Sequence, residues 1–466
     1  MKNLLKKLDL RISDLCLLIG FIPFALFLVF GQELMQYQNP ADVGFPLAAI
    51  IACFLVSLVS WGAYLFLEYK RGNVKIGYIA YILIGLALLN VIVIACQPSA
   101  VDLSVLCRAT NPTENPIYIA GQSYNVHIDI SAIHKVFFSL DIILICLFIF
   151  IGLFVFPKRF KSISFIKYLG FAVMAFCFVV ILYSYIFESS NYINFIKCIF
   201  AGDFSNIYNY TVKSFIIHRN AFGMAMLMGI IFAIINHSFD KKWYYYLILV
   251  FFYVSMIFSF CKASLLIGAL ITAIYVYFRL IYAFKDNKKR NTILLIIYSS
   301  IIVIGVGIVG ISLISKGKFL SPIYELINGN NETSTLTMRS HIWDNCYQLL
   351  EGGNWVVGRG FGIFNLMLLP MNTINGDIVF PSHSSWMNML AEGGIFYLFA
   401  LMALTALAIY IMIKSYKKNP NLVIAMALGA FAFFLYSFIE TIHYLFYVFL
   451  LPPFIFYEVE KQKEAT

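Results

Sequence analysis

Long apolar runs separated by short polar punctuation dominate the chain, and most runs are long enough to cross a bilayer. A membrane-spanning helix needs about 20 apolar residues to cover roughly 30 Å of hydrocarbon. On that basis the pattern predicts twelve spans, at about 14–31, 45–68, 76–97, 135–157, 164–187, 220–238, 243–260, 262–284, 292–315, 386–413, 421–438 and 441–458. There is no period-2 pattern of the kind that marks an outer-membrane barrel. The first run, "MKNLLKKLDLRISDLCLLIGFIPFALFLVFG", has the basic start and apolar centre of a signal peptide. No small-residue cleavage site follows, so it reads as an uncleaved first span.

The polar segments alternate sharply in Lys and Arg. One set comprises "MKNLLKKLDLR", "EYKRGNVK", "PKRFKS", "FDKK", "FKDNKKRN", "KSYKKNP" and the tail "EVEKQKEAT", and with boundary residues it holds 23 of the 33 Lys and Arg. By the positive-inside rule that set, with both termini, is cytoplasmic. The other set then faces outward: "QELMQYQNPADVG", 98–134, 188–219, a tight turn near Lys262, 316–385 and a minimal link near Glu440.

Composition sharpens this picture. The chain is 61% hydrophobic and 12% charged, against roughly 45–50% and about 25% in soluble domains. The net charge of +10 is mostly an orientation signal, and a nucleic-acid partner is not expected. The nine cysteines show no CxxC and no metal-ligand spacing. Cys96 and Cys107 could pair outside the membrane; most of the others read as small apolar residues.

The expected fold is an all-α polytopic membrane protein of about 12 transmembrane helices, with a large outer loop between helices 9 and 10. Residues 1–215 carry helices 1–5 and their outer loops, 216–414 form the chemistry-bearing region with loop 316–385, and 415–466 hold the C-terminal helices and tail. The long loop reads as short helices joined by Gly turns, with "NGNNETST" a flexible stretch. Its "GRGFG" follows no parallel-sheet unit, so it reads as a turn that brings backbone close to something rather than as a nucleotide loop.

Ionisable residues in so apolar a chain need reasons. Arg219, in "IIHRNAFG", opens the sixth span, either as a snorkelling anchor or as a ligand. Lys262, in "SFCKASLL", stands after a near-turnless link, where a lysine is costly unless paired or hydrated. Arg339 and Trp343, four residues apart, share one helix face, which fits a surface helix as well as a site. In "FPSHSSWMNMLAEGG", His383 precedes Ser384 and Ser385, both plausible caps for span ten, and Glu392 lies within the span. Glu440 and His443 are i, i+3 neighbours, expected to pair with each other or with a basic residue, and read as structural.

Spans six, eight and ten run in the same direction, so Arg219, Lys262 and His383 all stand at co-oriented helix N-termini. Such ends present unbonded N–H groups and partial positive charge, which suits anions. Convergence of the three would make a basic pocket for a phosphate or diphosphate, closed by Arg339.

These residues resemble the bacterial O-antigen ligase and polymerase superfamily of membrane glycosyltransferases. The resemblance covers about 216–414 and rests on "HRNAFG", "SFCKAS", R-x-x-x-W at Arg339–Trp343, "VVGRGFG", and His383-Ser384 followed by Gly394 and Tyr397. The last arrangement is similar to the H-[N/S/Q]-x9-G-x-x-[G/T/Y] pattern of the ligases. Two departures stand out: Asn commonly follows the family's histidine, where this chain has Ser384, and Arg is often found at the Lys262 position.

The resemblance implies inverting transfer of an oligo- or polysaccharide from undecaprenyl diphosphate to an acceptor hydroxyl, with no cofactor and no metal. It implies His383 as general base, with Arg219 and Arg339 on the diphosphate; Lys262 is a further diphosphate contact, and Glu392, Trp343 and Ser384 are supporting residues. Expected partners are the lipid-linked glycan donor, a glycan, lipid or protein hydroxyl acceptor, membrane lipids and other polysaccharide-assembly proteins. The expected location is the bacterial cytoplasmic membrane, with the site facing outward. Polymerase, ligase and protein O-oligosaccharyltransferase share this machinery, and polymerase is placed slightly ahead. A transporter or lipid-linked sugar flippase is the reading from another class. Transporters usually show repeated halves and midplane polar sites, and here the charges gather at the outer ends instead.

Overall fold

The computed structural model describes residues 11, 13–21, 23, 47–72, 74, 77–106, 123–159, 163–203, 206–216, 219–283, a few positions between 289 and 300, 335–351, 354–371, 373–374, 377–378, 383–440 and 446–465. Among them, eight helices are long and apolar enough to cross a membrane: Ile51–Lys70, Tyr78–Cys96, Ala132–Arg159, Ile163–Phe187, Arg219–Asp240, Lys262–Ile281, Ser385–Ser415 and Pro420–Ser437. The protein is an all-α polytopic membrane protein.

Each of the eight falls on an expected span. The expected span 243–260 is only 16 residues of helix, Tyr244–Ser259, because Phe260 turns left-handed (φ 50°) and stops it. The expected span 441–458 is shifted: the described helix is Phe446–Ala465, with Pro452 and Pro453 inside and a charged C-terminal half. Residues 14–21 of span 14–31 are helical and its second half lies largely outside the described residues, as do most of span 292–315 and of "NGNNETST".

The chain folds as two compact units. One comprises Met1–Lys161, Leu336–Ala408 and Ser437–Phe454; the other comprises Ser162–Thr335, Ile409–Tyr436 and Ile455–Thr466.

In the first unit the Tyr78–Cys96 helix shows how a lipid-facing helix is written. Ala80, Leu83, Ala87, Asn90 and Ile94 are buried, a three–four repeat that keeps one stripe inward. Tyr81, Ile82, Ile84, Leu88 and Ile92 remain exposed to the surroundings, as hydrocarbon rather than water permits. Behind it, the Ala132–Phe150 helix is capped by Ser131, whose hydroxyl accepts from the His134 N–H while His134 reaches back to Ser131. That helix runs into a π-helical turn, Ile151–Val155. Beyond this turn Arg159 donates to Asp14 at 2.8 Å. Nearby, buried Glu68 accepts from Ser13 and Arg71, both at 2.6 Å. Segment 98–134, expected as a plain outer loop, instead holds an antiparallel hairpin, Ala100–Leu106 with Ser123–Asp129, in which Asp102 faces His127.

The second unit is organised around Arg219–Asp240, of which 94% of the apolar window is buried. Two glycines on it admit neighbours. A Cβ at Gly229 would lie 2.7 Å from the Phe252 ring, and one at Gly223 would lie 2.6 Å from the Cys261 Cβ. At the helix's far end Asp240 pairs with Lys167 at 2.7 Å. Segment 188–219, also expected as loop, contains the amphipathic helix Ser189–Ala201, which buries Phe195 and Cys198 against Ile207.

Candidate functional site

His383 stands immediately before the Ser385–Ser415 helix in a left-handed conformation (φ 47°), a backbone state that costs a non-glycine residue about 1–3 kcal/mol. Ser384 caps the helix as expected, its Oγ accepting from the Met387 N–H at 3.4 Å and its carbonyl from the Asn388 N–H at 2.9 Å. The imidazole Nδ1 lies 3.0 Å from Glu440 Oε2, with the two side chains 15% and 12% exposed. A carboxylate only accepts, so Nδ1 carries the hydrogen and Nε2 is left as the basic nitrogen. Three further interactions fix the pair. Ser385 Oγ donates to the Glu440 carbonyl at 2.9 Å, Trp386 Nε1 donates to Ser437 Oγ at 2.7 Å, and the Trp386 ring stacks on Phe438 at 5.3 Å.

Eleven residues after His383, the helix breaks at Gly394 (φ 67°, ψ −164°). A break leaves carbonyls without their helical donors, and buried carbonyls need replacements. The "GRGFG" turn supplies them: Arg359 N–H donates to Ala391 O at 2.7 Å and Gly360 N–H to Glu392 O at 2.9 Å. Asn90 Nδ2 also donates to Glu392 O, at 3.0 Å, and its Oδ1 accepts from the Phe361 N–H at 2.9 Å. The approach is so close that a Cβ on Gly358 would sit 2.5 Å from the Glu392 carbonyl, and one on Gly394 would overlap the Val356 carbonyl. The turn therefore does bring backbone close to something, and that partner is the kink. Arg359 is anchored by its Nε donating to Leu349 O at 2.6 Å, and burial lowers the pKa of its guanidinium.

The Glu392 side chain is buried (2% exposed). It accepts from Asn365 Nδ2 at 2.9 Å and from the Gly362 N–H at 3.5 Å. Trp343 is half-buried on the Thr335–Leu350 helix. Arg339 is on the same helix, its side chain outside the described atoms, as are those of His341 and Asp344. His443 lies outside the described residues.

In the second unit, Arg219 and Lys262 are the first residues of their helices, and the two N-terminal ends are packed together. Gly223 lets Cys261 and Ser264 approach. The Tyr436 hydroxyl ties the ends, donating to Asn220 O at 3.1 Å and accepting from Ser264 Oγ at 3.3 Å. The link from Ser259 to Lys262 is a tight turn, as expected: Ser259 Oγ accepts from the Cys261 N–H at 3.2 Å, and Lys262 Nζ stands 5.9 Å from the Phe260 ring centroid. Two of the three expected co-oriented ends are thus brought together, while His383, Ser384, Glu392, Arg339 and Trp343 belong to the other unit.

Sequence reasoning missed Glu440 as the partner of His383. It also passed over Asn90, Asn365 and Arg359. The hints available for Glu440 were its expected pairing with His443 or a basic residue and its assignment to the same side of the membrane as His383.

The fold and these polar clusters define a multi-pass membrane protein with a carboxylate-oriented histidine at a helix entrance. Comparison with protein families, characterised proteins and solved structures gives no family-model match, no similar characterised protein and no similar solved structure.

Proposed function

We propose that the protein is a membrane glycosyltransferase of the O-antigen polymerase or ligase type. It moves a glycan from an isoprenoid diphosphate carrier to an acceptor hydroxyl at the outer face of the bacterial cytoplasmic membrane. The observation that carries this reading is the His383–Glu440 pair, 3.0 Å apart at a strained helix entrance. With Nδ1 committed to Glu440, Nε2 accepts the acceptor's proton as its oxygen attacks the anomeric carbon with inversion. The lipid diphosphate departs as an anion. A positioned base of this kind contributes about 10²–10⁴-fold, and the carboxylate fixes the tautomer and stabilises the imidazolium that forms.

Arg219 and Lys262 stand at two helix N-termini packed against each other. Their charges and the helix ends suit the diphosphate. Arg339 keeps the diphosphate role that the resemblance implies. Glu392 is assigned no part in the reaction, because its side chain is buried and hydrogen-bonded within its own unit.

The test is the size distribution of surface and lipid-linked glycan in a strain lacking the protein, beside one carrying His383→Ala. Single repeat units without a ladder identify a polymerase. A full ladder held on the lipid carrier identifies a ligase. Full restoration of the glycan by His383→Ala overturns the base assignment and favours transport.

A further inference from the structure

Asp141 lies in the Ala132–Phe150 helix, 1% exposed, in one of the most apolar segments of the chain. Among the described residues, neither of its carboxylate oxygens has a hydrogen-bond partner. Burying a carboxylate without donors or a counter-charge is among the most expensive arrangements in a membrane protein. The surroundings show where it is aimed. Phe138, one turn earlier on the same face, is the side chain against which Gly362 packs. Gly362 in turn gives its N–H to the Glu392 carboxylate. The helix face that carries Asp141 therefore abuts the glycine turn that bonds Glu392.

The two carboxylates are not equivalent. Glu392 has donors from Gly362 and Asn365, which support a negative charge where it stands. Asp141 has none, so the pair lacks one unit of positive charge. Among the described residues, the neighbouring elements do not supply it. His134 stacks on Phe138 at 6.2 Å, and Arg359 spends its Nε on Leu349. Asn90, the polar residue of the Tyr78–Cys96 helix that reaches Glu392, is neutral. The ion cluster of Asp14, Glu68, Arg71 and Arg159 belongs to the other end of the helix, about 27 Å along its axis from Asp141.

We propose that Asp141 and Glu392 form a buried binding site for one small monovalent cation, either a sodium ion or a proton. The donor set is all oxygen, which suits a hard cation. A bound cation ties the Ala132–Phe150 helix to the Glu392–Gly394 break and the glycine turn clasped on it. Occupancy therefore stiffens the short helical segment that begins beside His383. This inference is independent of the transfer reaction.

The test is thermal unfolding of the purified full-length protein in lipid nanodiscs. Sodium chloride is compared with choline chloride at equal ionic strength, at pH 8 and at pH 5.5. A midpoint higher by about 2–4 °C in sodium at pH 8 identifies sodium; the same rise on acidification in choline, with no sodium effect, identifies a proton. Either response is lost in Asp141→Asn, whose neutral side chain needs no counter-charge. Glu392→Gln provides the same readout should Asp141→Asn not fold. A third readout needs no variant: the infrared difference spectrum of the wild type, on adding sodium or acid, contains a change in buried carboxyl bands. No response to either cation, a response that persists in the folded variant, or an infrared spectrum without a carboxyl change overturns the site.

Discussion

The Arg219–Asp240 helix and the Ser385–Ser415 helix present chemistry at their N-termini in opposite ways. The first is unbroken and buried almost all round. Its glycines are places where another helix comes close, so Arg219 is positioned by packing. The second is broken at Gly394, and its exposed polar backbone is repaired by a loop, so the segment after His383 is positioned by hydrogen bonds. Packing holds a helix end wherever small residues allow an approach. A repaired break holds a short segment only while every replacement donor is present.

That contrast is broken most severely at the kink. Gly394→Ala places a Cβ into the Val356 carbonyl at a positive φ. The expected cost is about 2–6 kcal/mol, from strain and overlap together. Loss of monodisperse protein on size exclusion or a collapse of the unfolding midpoint checks it; wild-type behaviour would show that the kink is not required.

Gly223→Val attacks the packed ends in the other unit, where the Cys261 Cβ would be 2.6 Å from the new side chain. About 1–3 kcal/mol of destabilisation is expected, with weaker binding of an isoprenoid diphosphate measured on the same preparation. Unchanged donor affinity would separate the helix ends from the diphosphate.

Glu440→Gln leaves an acceptor for His383 Nδ1 but removes the charge. A fall of about 10–100-fold in turnover is expected, as for other residues that orient a ligand or base. The change should appear in kcat rather than KM, with a shifted pH profile; an unaltered profile would leave Glu440 a structural prop.

The smallest effect is expected at the hairpin. His127 Nδ1 lies 2.7 Å from Asp102 Oδ1, and Nε2 lies 3.3 Å from Asp129 Oδ1. The hydrogen bond to Asp102, then its charge, raises the His127 pKa above its ordinary 6.5. A raised folded-state value means that the stabilisation is fully present below about 6.5 and lost as pH rises through the folded value. Hydrogen exchange of the 123–129 strand, corrected for intrinsic rate, should be slower at pH 5.5 than at pH 8. His127→Gln should abolish that difference.

How much of this could be read along the chain depends on how far apart the participants lie. Apolar runs such as 76–97 announce a helix locally, and the observed Tyr78–Cys96 differs by only a residue or two. The turn before Lys262 was legible because two helices leave almost no chain between them. The hairpin escaped although "VDLSV" alternates in period two, because its partner strand begins only at Ser123, well separated from it along the chain. Glu440 is 57 positions from His383 and Asn90 is 302 from Glu392, separations at which no spacing rule operates. Asp141 was overlooked because a lone carboxylate inside an apolar run leaves the run's hydropathy almost unchanged.

The π-helical turn at Ile151–Val155 acts as a phase shifter. Asp141 and Arg159 are eighteen positions apart, which in an uninterrupted α-helix is about five whole turns and would point both side chains the same way. The wider turn takes up an extra residue and rotates everything after it. Arg159 accordingly meets Asp14, and the cation that could have settled over Asp141's side of the helix is dialled away from it. A single-residue deletion within 151–155 would reset that phase, changing which face of the helix is basic without altering one charged residue.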